Sequence, residues 1–285
     1  MFNREGVNVR VTRLKTMRLR HFARSVWVWM LAFGINPTAW RYAFRGLFVV
    51  VREYGELKRQ NRAAGSPFRL RLSMPCLSDR YDQSGSARGH YFYQDLTVAR
   101  KIFERQPARH VDVGSRVDGF VAHVAAFRTV EVFDIRPLTL NVPTIVFRRA
   151  DLTDIPDAYR QYCDSLSCLH AIEHFGLGRY GDRIDLFGHV KGFQCLSTVL
   201  KPGGVLYFSV PIGPQRVDFN ACRVFGIQTI LDLAHDGFEL TTFSFVDDAG
   251  TFHEDVRLTA ELITSNGGCD YGCGIFEFRK KAEAT

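Results

Sequence analysis

The sequence predicts a doubly wound α/β domain with a mostly parallel sheet, preceded by an N-terminal helical appendage. Residues 109–137 carry the pattern strand, glycine turn, helix, strand, acid, which is the plan of a nucleotide-binding unit. Strand-like segments then continue to alternate with helical ones. Residues 162–169 form a near-continuous apolar run, typical of a parallel strand buried on both faces. Ligands of such folds bind at the carboxyl ends of the strands.

The opening unit begins with a short strand from His110 to Val113 and a turn at Gly114. An apolar helical segment at residues 120–127 follows, and a second strand ends in Asp134. Glycine lets the backbone approach a ligand, and a terminal carboxylate can accept hydrogen bonds from two ribose hydroxyls. Arg116 replaces the second glycine of a full fingerprint, so this unit alone fits a nucleotide site or any βαβ unit.

The remaining elements are predicted from apolar runs and from turn residues. A helix at residues 97–105 precedes the first strand, and Lys201 to Gly204 forms a helix stop and turn. The other predicted elements are strands at 143–147, 162–169 and 205–211, helices at 185–200 and 224–235, and strands at 239–246 and 274–278. The last two strands would form a hairpin-like edge that closes the sheet.

Charge is concentrated in the N-terminal appendage, residues 1–72, which carries 15 Lys and Arg against 3 Asp and Glu. The overall net charge of +7 therefore belongs to this segment, and the remainder is acidic. The high isoelectric point thus does not indicate a nucleic-acid-binding core. We expect residues 1–17 to be disordered, residues 73–88 to be a linker, and residues 89–285 to form the α/β domain.

An amphipathic helix is predicted at residues 39–60, where Trp and Phe recur at helical spacing among basic residues. One interpretation is that residues 18–60 meet an anionic membrane surface. Another is a helical arm that packs on the domain or on a second subunit of a homo-oligomer. A nucleic-acid arm is disfavoured because no binding motif is present, and we expect no nucleic-acid partner. The apolar run at 26–33 is too short to span a bilayer.

Seven scattered cysteines form no C-x-x-C pair, and their number is odd. This pattern indicates reduced thiols in a cytoplasm rather than a disulfide framework. With the basic helix, it predicts a cytoplasmic protein that is peripheral on the inner membrane face.

Five strand-end features together resemble the class I S-adenosylmethionine-dependent methyltransferases. These are Asp-x-Gly after the first strand, acids after the second and third, Glu173-His174 after the fourth, and Lys201-Pro202-Gly203-Gly204 before the fifth. The strings 170–182, 89–95 and 219–221 are similar to an uncharacterised bacterial family, domain-of-unknown-function family 268, met among surface-polysaccharide genes. The resemblance implies a Rossmann-like fold and S-adenosylmethionine as the cofactor.

Cofactor-binding residues are carried over from this resemblance by position. Asp112, Gly114 and Ser115 would shape the pocket for the methionine part. Asp134 would bind the ribose hydroxyls, and Asp151 with Leu152 would meet the adenine. Methyltransferases usually have glycines where this chain has Arg116 and Asp118. Arg116 would either crowd the cofactor or turn outward and leave Gly119 to open the helix.

The catalytic candidates are His170, Glu173 and His174, because a base at the end of the fourth strand would face the transferred methyl group. Histidine accepts protons near neutral pH. Alternatively, Glu173-His174 caps the following helix and orders the loop. The string also matches the H-x-x-E-H zinc signature, which requires a helix, whereas here it follows a strand. A Cys269/Cys273 site lacks a second ligand pair, so we assign no metal.

A polar acceptor would be bound by residues near these strand ends. His90 and Tyr91 can cover the site, or they pack over the sheet edge. Further candidates with polar or charged side chains are Arg179, Tyr180, Asp182, Asn220 and Arg223, unless they form a surface salt-bridge network. The leading hypothesis is an O-methyltransferase acting on a glycan or glycolipid intermediate of surface-polysaccharide biosynthesis. The alternatives are a non-catalytic scaffold of the same fold and a nucleic-acid methyltransferase.

Overall fold

The computed structural model describes residues 25–139 and 142–282, and the chain divides into two compact units between Gly85 and Ser86. The expectation for residues 1–17 falls outside the described residues. This division does not test the predicted segment bounds, 1–72, 73–88 and 89–285, which stay predictions.

The first unit contains a long helix, α1 (Pro37–Ala63), which follows a helical stretch at residues 25–32. Asn36 begins α1, because its Oδ1 accepts a hydrogen bond from Ala39 N at 3.0 Å. The predicted amphipathic helix is thus present with slightly wider bounds. Within 25–139 and 142–282, no helix is both long and apolar enough to cross a membrane.

The second unit is built on an eight-stranded sheet with the order β3-β2-β1-β4-β5-β10-β8-β9. Its strands are β1 (His110–Val113), β2 (Val130–Asp134), β3 (Ile145–Arg149), β4 (Cys163–Leu169), β5 (Leu200–Ile212), β8 (Phe238–Val246), β9 (Phe252–His253) and β10 (Gly272–Lys280). A separate hairpin pairs β6 (Arg216–Asp218) with β7 (Cys222–Val224). Strands β3, β2, β1, β4 and β5 are mutually parallel. The predicted fold class, a doubly wound and mostly parallel α/β sheet of Rossmann-like architecture, is confirmed.

Strand β10 corrects the predicted hairpin-like edge. It lies inside the sheet, antiparallel to both β5 and β8, while β9 forms the edge. Its residues Gly272 to Phe278 are all buried, so it is a central strand rather than a closing one. The predicted turn at Lys201 to Gly204 is also revised, because β5 already begins at Leu200 and its pairing register with β4 slips there.

The helices of this unit are α2 (His90–Arg105), α3 (Ala122–Ala125), α4 (Gly188–Val199), α5 (Ile227–Ala234) and α6 (Ala260–Ser265). Helix α2 begins seven residues before the prediction, which places His90 and Tyr91 in its first turn. The helix predicted at 120–127 is shorter, because a π turn at Val117–Val121 with a kink at Gly119 precedes it. The core lies on both faces of the sheet: α4 and α5 pack on one cluster, and α2 and α3 pack on the other.

Candidate active site

A cavity of about 270 Å³ lies at the carboxyl ends of β1, β2, β3 and β4. The loop after β4 and Lys191 of α4 complete its wall. Eight of the predicted site residues line it, namely Gly114, Asp134, Asp151, Leu152, His170, His174, Tyr180 and Asp182. These predicted residues thus lie together at one edge of the sheet.

The turn after β1 is held from beneath by Asp112. This carboxylate is fully buried and accepts hydrogen bonds from Ser115 N at 3.1 Å, Ser115 Oγ at 2.8 Å and Ser167 Oγ at 2.6 Å. Burial raises the pKa of Asp112 to about 6, although these hydrogen bonds oppose the shift. Asp112 and Ser115 thus support the cavity wall without lining it, which limits their predicted cofactor role to shaping the turn.

Gly114 is required where this turn faces the end of β4. Its φ is +72°, and an added Cβ would lie 2.9 Å from the Ala171 Cβ. A side chain at this position would therefore both strain the backbone and narrow the cavity.

Asp134 at the end of β2 is paired with Arg136, a residue that the sequence analysis did not single out. Arg136 Nε lies 3.0 and 3.2 Å from the two Asp134 oxygens, and the Arg136 backbone N–H donates to Oδ1 at 2.8 Å. The Arg136 guanidinium also lies 4.4 Å from the centre of the Tyr180 ring. The carboxylate predicted to bind ribose is thus already engaged by a residue only two positions further along the chain.

Arg116 turns outward, as one of the two sequence-based expectations had it. Its side chain is 70% exposed and pairs with Asp118 at 2.7 Å. It lies outside this cavity and borders a separate surface cleft with Ser115 and Asp118. Gly119 forms the kink of the π turn, and an added Cβ there would lie 3.0 Å from Asp95 Oδ2. Arg116 therefore does not crowd the cavity.

The end of β3 presents Asp151 and Leu152 to the cavity. Asp151 Oδ1 accepts hydrogen bonds from Thr153 N at 2.8 Å and from Thr153 Oγ1 at 2.7 Å, which fixes the turn. Leu152 is buried beside it. This pairing of a polar acceptor with an apolar surface is compatible with a flat heterocycle.

His170, Glu173 and His174 come together at the exit of β4. His170 Nδ1 lies 2.9 Å from Glu173 Oε1, and His174 Nε2 lies 3.7 Å from the same oxygen. Both histidines line the cavity, whereas Glu173 is buried behind them. His170 directly follows β4, and Glu173 and His174 lie in the 3₁₀ turn Ile172–His174, so the H-x-x-E-H string lacks the helix that zinc proteases need.

The two histidines have opposite pKa shifts. Burial lowers the pKa of His174, and Arg179 adds to this effect, against an opposing contribution from Glu173. For His170, burial also lowers the pKa, but Cys273 and Glu173 outweigh it and raise the pKa well above the ordinary value. At neutral pH His174 is thus the uncharged member of the pair.

His174 has a defined orientation. Its Nδ1 lies 2.7 Å from the carbonyl oxygen of Ala221, which accepts the Nδ1 proton. Nε2 therefore carries the free lone pair. Arg179 Nη1 donates to the same carbonyl at 2.8 Å, and the Tyr180 ring packs edge-on against His174.

His90 and Tyr91 lie in the first turn of α2, next to the ring of His170. The His90 ring stacks on His170 at 5.4 Å, and the Tyr91 ring lies 5.2 Å from His170. Tyr271, which sequence reasoning missed, stacks on the other face of His90 at 5.7 Å. Burial lowers the pKa of His90 to about 4. Tyr271 precedes β10, and only the placement of that strand inside the sheet brings it here.

Arg223 is a loop-supporting residue, which corrects its predicted role in substrate binding. Its side chain is buried and donates to the carbonyl oxygens of Phe175 at 2.6 Å, Leu186 at 3.1 Å, Asp185 at 3.2 Å and Glu173 at 3.3 Å. With its guanidinium occupied by backbone carbonyls, it fixes both ends of the loop over the cavity.

Two other predicted acceptor residues lie outside the cavity. Asn220 is exposed next to Ala221. Arg179 does not line the cavity, but its Nη1 lies 3.3 Å from Nδ1 of His174, which does. Asp182 lines the cavity but is occupied by the loop itself, since it accepts from the backbone N–H groups of Gly176 and Gly178. The salt-bridge alternative is not what the structure shows for these residues: their contacts are mainly with backbone groups.

The cavity lining is acidic. Asp134, Asp151, Asp154, Asp182 and Asp185 face Arg136, Arg183 and Lys191 in it. Lys191 Nζ is paired with Asp185, and Arg136 is paired with Asp134. The remaining carboxylates favour a ligand that carries positive charge.

A family model described as "Caenorhabditis protein of unknown function, DUF268" matches residues 144–267. The match agrees with the family number indicated by the sequence, while the description names Caenorhabditis rather than bacteria. No curated protein matches the chain by sequence.

Several solved structures are similar to this chain. The N-methyltransferase NodS from Bradyrhizobium japonicum WM9, in complex with S-adenosyl-L-homocysteine, is 12% identical with a TM-score of 0.45, over 67% of this chain and 88% of that one. The Burkholderia thailandensis 1,6-didemethyltoxoflavin-N1-methyltransferase is 13% identical with a TM-score of 0.45, over 87% and 91%. The [4+2]-cyclase SpnF is 13% identical with a TM-score of 0.49, over 83% and 95%. At these sequence identities and TM-scores, the chemistry of this site is inferred only from the residues that form it in this chain.

Proposed function

We propose that this chain is an S-adenosylmethionine-dependent O-methyltransferase whose acceptor is a sugar or glycolipid intermediate of surface-polysaccharide biosynthesis. The observation that best supports the proposal is the cavity in which Gly114, Asp134 and Asp151 meet His170 and His174. It joins a nucleoside-type half, formed by β1 to β3, with a proton-accepting half at the end of β4.

The residues of the first half fit the cofactor. Asp134 would accept from the ribose hydroxyls and Asp151 from the adenine amino group, with Leu152 against the ring. Gly114 gives the backbone room beside the methionine part. The cofactor carries a sulfonium and an ammonium group, which the acidic lining favours.

The reaction requires positioning and one proton acceptor. When bound, S-adenosylmethionine supplies an electrophilic methyl group; an O–C bond forms with the acceptor hydroxyl, the S–C bond breaks, and a proton is released. His174 Nε2 is the group we assign to take that proton, because its lone pair is free and its depressed pKa keeps the ring neutral. Glu173 would stabilise the imidazolium that forms, as a positioning residue.

The acceptor side combines rings with polar donors. His90, Tyr91 and Tyr180 provide flat surfaces near the two cavity histidines, and the Arg179 guanidinium lies 5.3 Å from the Tyr180 ring centre. Aromatic surfaces with a few placed polar groups suit a sugar, and a forked guanidinium suits a sugar phosphate.

Helix α1 supports a membrane location for the acceptor. Its side chains Trp40, Phe44 and Phe48 are exposed, and basic residues surround them in the sequence. Such a surface suits an anionic bilayer at the cytoplasmic face. The test is sedimentation with vesicles of phosphatidylglycerol or of phosphatidylcholine alone. Binding to anionic vesicles that is lost in the double variant Phe44→Glu/Phe48→Glu supports this location. Self-association of the unsubstituted chain that does not change with salt indicates instead that α1 packs on a second copy.

A non-catalytic scaffold of the same fold is the second candidate. Arg116 does not support this candidate, because its side chain is exposed and lies outside the cavity, where it does not block cofactor binding. The pairing of Arg136 with Asp134 does favour it, since this pair would have to open before ribose could bind.

Calorimetry separates the two candidates. The full chain is titrated with S-adenosylmethionine and with S-adenosylhomocysteine, and the enzyme predicts binding of both with a stoichiometry of one. Transfer of labelled methyl groups is then measured on nucleotide sugars and on polyprenyl-linked sugars. A folded sample that binds neither cofactor form contradicts the enzyme and leaves the scaffold.

A further inference from the structure

His170 carries a buried ring nitrogen that nothing in the described structure satisfies. Its side chain is 4% exposed, and its Nδ1 is used by Glu173 at 2.9 Å. Its Nε2 has no hydrogen-bond partner within residues 25–139 and 142–282. A buried polar atom left without a partner destabilises the fold, so such atoms call for a physical explanation.

Two further ligand-type side chains lie close to His170. His90 comes from the first turn of α2, and Cys273 comes from the second residue of β10. The donor atoms of His90, His170 and Cys273 all lie within 4.8 Å of one another. Cys273 is fully buried and unbridged.

We propose that His90, His170 and Cys273 form a binding site for a zinc-type transition-metal ion. Two imidazole nitrogens and one sulfur are a donor set that Zn²⁺ accepts, with about 2.0–2.1 Å to nitrogen and 2.3 Å to sulfur. In tetrahedral geometry these bonds place the ligand atoms about 3.3–3.6 Å apart. The donor atoms would have to approach one another by at most about 1.5 Å, within the reach of side-chain rotation, to bind one ion.

Glu173 has the position of an outer-shell residue for this site. Its Oε1 receives the Nδ1 proton of His170, so a metal ion would displace only the Nε2 proton and bind at that nitrogen. The ligand set also differs from the one that the H-x-x-E-H string suggests, because His174 Nδ1 is used by the Ala221 carbonyl instead. Three protein ligands leave a fourth position open, as in catalytic zinc sites.

The open position gives the site a role in the proposed reaction. His170 lines the active-site cavity, so an oxygen bound at the fourth position would lie at its edge. A metal-bound hydroxyl has a lowered pKa and would pass its proton more readily to His174. This role rests on the proposed function, whereas the metal site itself does not.

Metal binding by the chelator-treated full chain tests the site without any cofactor. We expect one Zn²⁺ per chain by calorimetry, and with Co²⁺ a thiolate-to-cobalt charge-transfer band. His90→Ala and Cys273→Ser should each weaken binding more than 100-fold and, for Cys273→Ser, abolish the band. Glu173→Gln should weaken it about 10- to 100-fold, as outer-shell changes do. Binding should also weaken as the pH falls, since protons compete for the ligands.

Matched controls are the exposed residues Cys76 and His235, whose variants Cys76→Ser and His235→Ala should bind as the parent does. Circular dichroism verifies the fold of each variant. The site is refuted by absence of the cobalt–thiolate band, or by equal binding in His90→Ala and the parent. Zinc binding by a chain that binds no S-adenosylmethionine would uphold the site and reject only its catalytic role.

Discussion

Arg136 holds the carboxylate of Asp134 through its side chain and through its backbone N–H, although only one residue separates them. The pair stands at the end of β2, where the proposed cofactor would place its ribose. Arg136 therefore occupies hydrogen-bonding positions of the Asp134 carboxylate that the ribose hydroxyls would need.

This competition predicts opposite effects of two substitutions on cofactor affinity. Asp134→Ala should weaken S-adenosylhomocysteine binding about 10- to 100-fold, since hydrogen bonds to a charged group contribute about 1.5–3 kcal/mol. Arg136→Ala should tighten it severalfold, because the carboxylate no longer has to exchange partners. Both are measured by calorimetry, with Arg148→Ala, on β3 and outside the cavity, as the control. If Arg136→Ala weakens binding as Asp134→Ala does, the guanidinium itself contacts the ligand.

The assignment of His174 as proton acceptor predicts its titration. Long-range ¹H–¹⁵N spectra should show the Nδ1–H tautomer and a pKa below 6.5. Glu173→Gln should lower that pKa further, because the carboxylate is the main group that raises it. The control is the exposed ring of His235, which is assigned with His235→Asn and whose signals should not change in Glu173→Gln. An Nε2–H tautomer in the parent would remove His174 as the base.

Acid stability should depend on the buried pair His110 and Asp112. Burial lowers the pKa of His110 from 6.5 to about 3, so below pH 6.5 the unfolded chain takes up a proton that the native ring refuses. Stability is therefore lost as the pH falls, by at most about 1.4 kcal/mol per pH unit for this residue. Asp112 acts oppositely: its pKa is raised from 3.8 to about 6, so the native state holds the extra proton and gains stability as the pH falls through that window.

Urea unfolding at pH 4.5, 5.5 and 7 tests both signs. His110→Asn should flatten the loss of stability on acidification, and Asp112→Asn should steepen it between about pH 4 and 6. The comparison uses slopes against pH, so a uniform loss of stability in either variant does not affect it. Identical slopes in the parent and both variants would contradict the assignment.

Removal of Arg223 should free the loop over the cavity. Arg223→Met leaves four carbonyl oxygens without their charged donor, and we expect a loss of about 2–4 kcal/mol. Hydrogen exchange should increase selectively in residues 173–187. Arg257→Met, at an exposed arginine, should change stability by less than about 0.5 kcal/mol. A loss of stability without local exchange would place the contribution of Arg223 elsewhere.

The sequence was informative wherever a local pattern had one structural meaning. The glycine turn at Gly114, the acid at Asp134 and the buried run of β4 were each predicted from neighbouring residues, and they meet as expected. The helical spacing of Trp40, Phe44 and Phe48 likewise predicted a helix that the structure contains. In these cases the physical cause, a turn, an apolar face or a buried strand, lies within a few residues.

The sequence was not informative where contacts depend on strand order. Cys273 and Tyr271 reach His90 and His170 because β10 lies inside the sheet, and nothing near residue 272 in the sequence indicates an inner position. Arg223 was assigned to substrate because arginine suits phosphate, whereas its carbonyl partners lie 37 to 50 residues away in the chain. Long-range geometry of this kind is not encoded in local spacing.

The inner position of β10 has a consequence for synthesis of the protein. Strands β1 to β5 can pair as they leave the ribosome, since each finds its parallel neighbour among segments already made. Strands β5 and β8 cannot be joined until Gly272–Lys280 has been translated. Until then β5 presents a long apolar edge, which is a template for aggregation. Until Gly272–Lys280 has been made, the parallel half of the sheet therefore carries an unpaired strand along β5.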